Sequence, residues 1–161
     1  MTPALPSPPV PRLLAVLLTS AAVLWMAAIF LAPAGVRDGG PRLLAAGVYG
    51  AAALVCHQRP ERSFHLDSVK LPVCARCTGL YVSGALGALI AWLGRATVPR
   101  HARMNLVAAA IPTALTVAAE WLQIASPDNV ARAAAALPLG ALAAWMFVRL
   151  LRAESRGAHA L

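Results

Sequence analysis

Five apolar runs separated by short polar segments make up most of this chain. Leu13–Val36 is 24 residues without a charge, more than the roughly 20 that a helix needs to cross a bilayer. Leu43–Val55 is a second run, of 13 residues. As a helix it would be only about 20 Å long, so it either extends into its flanks or re-enters on one side. Cys77–Gly94 is a third run, 18 uncharged residues. Met104–Pro127 is interrupted only by Glu120, and Ala133–Phe147 is closed by Arg149 and Arg152. The pattern predicts an all-α integral membrane bundle of four to five helices. Residues 12–152 form its single transmembrane domain, and a polar Cys/His loop, 56–77, lies between helices two and three. The five prolines of residues 1–11 predict a disordered N-terminal tail, and residues 153–161 form a C-terminal tail. Ala32–Ala34 vaguely resembles a signal-peptidase site. The run before it is longer than a signal peptide's apolar core, and only Arg12 precedes it as a positive charge, so a retained first helix is expected.

Composition agrees. The chain of 161 residues is 60% hydrophobic and 12% charged, where a soluble domain carries roughly a quarter charged residues. So large an apolar excess cannot be hidden in one small water-soluble core. The net charge of +8 is scattered between apolar runs rather than lined along one face, which argues against a nucleic-acid partner. The bilayer is the only partner the composition identifies. Arg95–Arg103 holds three arginines and no acid, and the C-terminal tail is also basic. Both are expected in the cytoplasm. The Cys/His loop then lies on the outer face of the cell (inner) membrane of a multi-pass protein. With five full spans the N-terminus is outside as well. If the second run is only re-entrant, the N-terminus moves to the cytoplasm. Gly79, Ser83, Gly87 and Ala91 recur every fourth residue on helix three, a spacing that lets helix backbones approach closely in lipid.

The chemistry gathers in CHQRPERSFHLDSVKLPVCARC, from Cys56 to Cys77. All three cysteines of the chain and two of its four histidines lie here. Cys74-x-x-Cys77 can put two sulfurs on one ion, and Cys56 returns from the end of the second run. Three thiolates and one imidazole, His57 or alternatively His65, would make a closed tetrahedral zinc site. Arg59, Arg62, Lys70 and Arg76 could offset its negative charge. A redox reading takes Cys74 and Cys77 as a dithiol at a helix N-terminus, where thiolates are stabilised, with Cys56 as resolving partner. The blandest reading leaves the cysteines as small apolar residues and the histidines at the interface.

This stretch resembles a prokaryotic family of small predicted membrane proteins with a domain of unknown function. Its pattern reads C-H-x-x-P-x-R-S-F, then P-x-C-x-R-C-x-G. The match falls on Cys56, His57, Pro60, Arg62, Ser63, Phe64, Pro72, Cys74, Arg76, Cys77 and Gly79. The resemblance implies a membrane protein, implies no reaction, and favours His57 over His65. It extends more weakly to Glu120, Gln123, Asn129 and Arg132.

These four form a second polar set. Glu120 and Gln123 sit at i, i+3, as do Asn129 and Arg132, a spacing that shares a helix face. An acid inside a membrane segment is a functional candidate, and pairing with Arg132 is its simplest relief. On the expected topology this set shares the outer face with the cysteines. The functional expectation is a small membrane protein with a zinc site at the outer interface. One alternative is a membrane thiol–disulfide oxidoreductase using the Cys-x-x-Cys pair. Another is a small transporter or lipid-binding protein using Glu120 and Arg132. If His57 does not ligate, zinc keeps an open position, with Glu120 available as a general base.

Overall fold

A computed structural model describes residues 10–37, 42–94, 97 and 100–157. Five α-helices account for most of them: α1 (Val10–Arg37), α2 (Arg42–Ala53), α3 (Ala75–Ile90), α4 (Ala102–Trp121) and α5 (Asn129–Gly157). Helices α1, α4 and α5 are long and apolar enough to cross a membrane, and α3 is a shorter apolar helix. Much of the apolar surface faces outward, as lipid contact requires. None of the residues of α4 is buried, and Met104, Val107, Ile111 and Leu115 are all exposed. In lipid such side chains need no cover, whereas the backbone must bond internally, which the helices achieve.

The helix ends differ from the expected bounds. α1 already begins at Val10, with Pro11 in the first turn, where the missing N–H leaves no bond unmade. The tail expected over residues 1–11 thus gives up its last two residues, and residues 1–9 lie outside those described. α5 continues to Gly157, because Ala153 to Arg156 contain no helix breaker. Only residues 158–161 of the expected C-terminal tail fall outside the described residues. Gly39, Gly40 and Pro41 of the first polar turn fall outside them too.

Helix α2, at twelve residues, is shorter than the roughly 20 that a membrane span needs. Its Tyr49 hydroxyl donates to the carbonyl of Lys70, and its far end packs Ala52 and Cys56 against Ile29 of α1, Leu71 and Val73. Both contacts lie near the C-terminal end of α1, where Arg37 pairs with Asp67. Twelve residues make a helix of about 18 Å, and the site end of the bundle contains all of it. The opposite end collects the start of α1 and the ends of α3 and α5. There Ala15, Ala88, Ala91 and Val148 form a buried cluster, and Trp92 Nε1 donates to Thr19 Oγ1 at 2.9 Å. The start of α1 therefore shares an end of the bundle with the end of α3.

Helix α3 lies backbone to backbone against α5. A Cβ at Gly79 would fall on the carbonyl of Ala133, and one at Gly87 on that of Ala141. Helix α5 answers with Gly140, whose missing Cβ makes room for Leu80 and Ser83. Without a hydrophobic force between helices in lipid, such backbone proximity supplies the van der Waals attraction. Between α2 and α3 the chain makes a 3₁₀ turn at Pro60–Arg62 and a small antiparallel hairpin, which the apolar pattern does not announce. Its strands are β1 (His65–Leu66) and β2 (Val69–Lys70), with His65 opposite Lys70. Asp67 and Ser68 both have positive φ, 47° and 69°, the type I′ turn that suits two-residue hairpin loops.

The α3–α5 contact gives the first prediction. Gly87→Ala should destabilise the detergent-solubilised protein by about 1–3 kcal/mol, the range for an overpacked methyl. Gly50→Ala, whose new methyl meets nothing within 4 Å, should be neutral or slightly stabilising. Equal unfolding midpoints for Gly87→Ala and the parent would rule out so close a helix contact.

Candidate metal centre

Three segments deliver the three sulfurs. Cys56 ends the turn that closes α2, its N–H bonded to Ala52 O at 2.9 Å, and its side chain is buried. Cys74 is the N-cap of α3 in extended conformation, and Cys77 lies in the first turn of that helix. The loop between is fixed from inside. Leu71, Pro72, Val73 and Ser63 are buried, and Leu71 N–H donates to Phe64 O at 2.8 Å. At the left-handed residue Gln58 (φ 49°) the chain turns, and its side chain donates to Tyr49 O at 2.7 Å. Lys70 Nζ donates to Gln58 O at 2.6 Å.

The Sγ atoms of Cys56, Cys74 and Cys77 lie within 4.8 Å of one another. The edge of a tetrahedral zinc–thiolate site with 2.3 Å bonds is about 3.8 Å, so a contraction of at most about 1 Å closes the triad on an ion. The Cys74 N–H already donates to Cys56 Sγ at 3.1 Å. The Cys74 thiol is pulled down to about 5, chiefly by a hydrogen bond from the Cys77 thiol. Burial opposes this, while the Cys77 and Arg76 N–H groups and the Cys56 thiol reinforce it. A thiolate at a helix N-terminus is the chemical form that binds metal.

Neither histidine joins the sulfur group. Next to the buried Cys56, His57 is exposed, on the wall of a cavity of about 390 Å³ that the three cysteines also line. His65 is exposed in β1, off that wall. Lys70, expected beside the sulfurs, is instead held at the hairpin by Gln58 O. Arg59, Arg62, Arg76, Arg132 and Trp121 complete the polar and aromatic wall.

The second polar set converges on the same wall. Glu120 Oε1 accepts from Arg132 Nε at 2.7 Å and Arg76 Nη2 at 3.2 Å, and Oε2 accepts from Arg62 Nη1 at 3.2 Å. Its side chain is 10% exposed, so the cost of placing a carboxylate here is offset by three guanidiniums. Thr116, one turn earlier, adds a 3.4 Å contact to Arg76 Nη2; its i−4 spacing from Glu120 is a signal that sequence reading passed over. Asn129 joins this set to the loop. Its Nδ2 donates to Ser63 O at 3.2 Å and its Oδ1 accepts from Arg132 Nη1 at 3.0 Å.

Gln123 stands apart. The expected shared face with Glu120 does not form, because α4 ends at Trp121 and Gln123 has φ 56°. Its N–H bonds Glu120 O and that of Ile124 bonds Ala119 O, a Schellman stop. The exposed Gln123 side chain therefore belongs to a helix terminus, not to the site.

The sequence profile of a family described as predicted membrane proteins, DUF2085, matches residues 56–146. The chain belongs to this family. The DUF2085 match starts at the first cysteine and takes in both polar sets. An uncharacterised protein of Methanocaldococcus jannaschii is 38% identical over 66 residues, 38% of this chain and 42% of its own length. An uncharacterised protein of Methanothermobacter thermautotrophicus is 30% identical over 86 residues, 53% of this chain and 78% of its own. The chain thus spans under half of the first relative. No solved structure matches it.

Removing the Glu120 charge tests this geometry. Glu120→Gln keeps the shape but leaves Arg132, itself 11% exposed, without a counter-charge. It should cost about 3 kcal/mol, the lower end for breaking one half of a buried pair. Glu61→Gln, at an exposed position in the 3₁₀ turn, should leave the unfolding midpoint in detergent unchanged. Similar midpoints for the two variants would mean that the three arginines are satisfied without the carboxylate.

Proposed function

We propose that this is a multi-pass inner-membrane protein that holds a zinc ion at the outer membrane–water interface. Cys56, Cys74 and Cys77 supply three ligands and His57, on the same cavity wall, the fourth. The observation that carries the reading is the convergence of three sulfurs, from the turn after α2, the N-cap of α3 and its first turn, to within 4.8 Å. Bound there, the ion would clamp the loop to the start of α3. The orientation is supported by the opposite end. It carries Arg12, Arg100, Arg103, Arg149 and Arg152 with Glu154, and two of these guanidiniums stack on tryptophans. Arg149 lies 4.6 Å from the Trp145 ring and Arg152 4.9 Å from that of Trp92. Arginines suit a cytoplasmic interface, whereas tryptophans suit either interface.

A second reading rests on the lowered Cys74 thiol at a helix N-cap. A thiolate there would attack a substrate disulfide, with Cys77 or Cys56 resolving the mixed disulfide. Elemental analysis of the detergent-purified protein separates the two. Zinc near one equivalent per chain, lost in Cys74→Ser, supports the metal centre. Metal-free protein that cycles reversibly between dithiol and disulfide at Cys74 and Cys77 supports the redox reading instead. Reporter fusions at the C-terminus and within residues 95–103 should both report cytoplasm. A membrane-impermeant thiol reagent should reach the cysteines of the metal-stripped protein from outside, and labelling only from the inner side would reverse the orientation.

A further inference from the structure

The cavity beside the sulfurs carries more positive charge than the protein compensates. Arg59, Arg62, Arg76 and Arg132 line it, whereas Glu120 does not. That carboxylate is bonded to three of the four guanidiniums, yet it can cancel only one charge. A surplus of three remains with the cysteines neutral, and two when Cys74 is ionised or when three thiolates hold a zinc ion. The donors are also under-used. Arg76 Nε is buried and meets no hydrogen-bond acceptor among the described residues. The exposed Arg59 side chain has no hydrogen bond or ion pair among the described residues. Buried guanidinium donors without an acceptor are costly, and a planar fork fits a phosphate oxyanion at two oxygens. The mouth is apolar: Val55 and Trp121 line the cavity and are 61% and 88% exposed. Leu54 and Ile124, their near neighbours in sequence, are exposed as well.

We propose that this arginine-lined cavity binds a phosphate oxyanion, either the headgroup of an anionic membrane lipid or a free phosphate. Glu120 serves as the pedestal that holds Arg62, Arg76 and Arg132 together, and Arg59 is the clamp at the exposed rim. Trp121 and Val55 lie where the glycerol and first acyl carbons of a lipid would leave the cavity. The site does not depend on a bound metal.

The test uses the full chain in detergent and reads the thermal midpoint against ligand concentration. The probes are dihexanoyl phosphatidic acid, inorganic phosphate and dihexanoyl phosphatidylcholine. Phosphatidic acid should raise the midpoint saturably. Arg59→Gln should weaken its apparent affinity by about tenfold or more, the worth of one charge-assisted hydrogen bond. Arg59→Lys should recover part of the loss. Phosphatidic acid binding more than tenfold tighter than inorganic phosphate identifies the lipid headgroup as the source, and equal affinities identify the free ion. Absence of saturation with either anion overturns the proposal. So does an equal response to phosphatidylcholine, or an Arg59→Gln protein that binds like the parent. Zinc content measured on the same samples keeps the two readings apart: anion binding by metal-free protein leaves this site standing while the zinc centre fails.

Discussion

One carboxylate joins parts of this bundle that apolar packing does not. Helix α4 buries none of its residues, and lipid gives its leucines and valines no reason to leave the bilayer for a neighbour. It is held by polar bonds: Thr113 Oγ1 donates to Ala135 O at 2.8 Å, and Glu120 takes Arg132 of α5, Arg76 of α3 and Arg62 of the loop. With Glu120 and Arg132 only 10% and 11% exposed, the bond between them is stronger than one at a wet surface. Three cations around one anion also repel one another, so the arrangement depends on that anion being present. The placement of α4 and the shape of the cavity both rest on it.

The α3–α5 contact works by the opposite means. It uses no charge and little side chain, only the absence of Cβ atoms at Gly79, Gly87 and Gly140. The two devices meet near the start of α3, where Arg76 precedes Cys77 by one residue and Gly79 follows by two. Close packing fixes where α3 lies against α5, and the ion pairs then fix which way Arg76 and Arg132 reach. The cysteines sit at the point these constraints share, so their convergence follows from the whole bundle rather than from the Cys-x-x-Cys spacing alone.

Much of this was legible in the chain, for reasons that are local or compositional. Uninterrupted apolar runs mark helices because lipid admits no unpaired backbone, and the small residues of α3 mark its packing face. The clustering of cysteines shows in sequence because all three fall within 22 residues. The rest depends on tertiary context. Whether thirteen apolar residues cross or stop is decided by the anchors Tyr49 and Cys56 find, not by their hydropathy. The hairpin hangs on two positive-φ residues, Asp67 and Ser68, which carry no glycine to advertise the turn. Gln123 misled for the same reason: a helix stop at a non-glycine left-handed residue looks in sequence like continued i, i+3 periodicity.

The sulfur triad and the arginine cavity are linked through the loop they share. Cys56 and Cys74 close a segment of 17 intervening residues, and Arg59 and Arg62 project from within it. Clamping the two ends of a loop removes conformational freedom from everything between them. An ion on the three sulfurs would narrow the positions open to Arg59 and Arg62, while the Glu120 pairing restrains Arg62 from the other side. A ligand held by those arginines would in turn restrain the loop and favour the gathered sulfurs. By linkage each occupant then strengthens the other by the same factor. The opposing term is electrostatic: three thiolates on one zinc ion would remove one unit from the cavity's positive surplus. Ordering of the loop and loss of positive field therefore act in opposite directions, and their balance sets the sign of the coupling between the two sites.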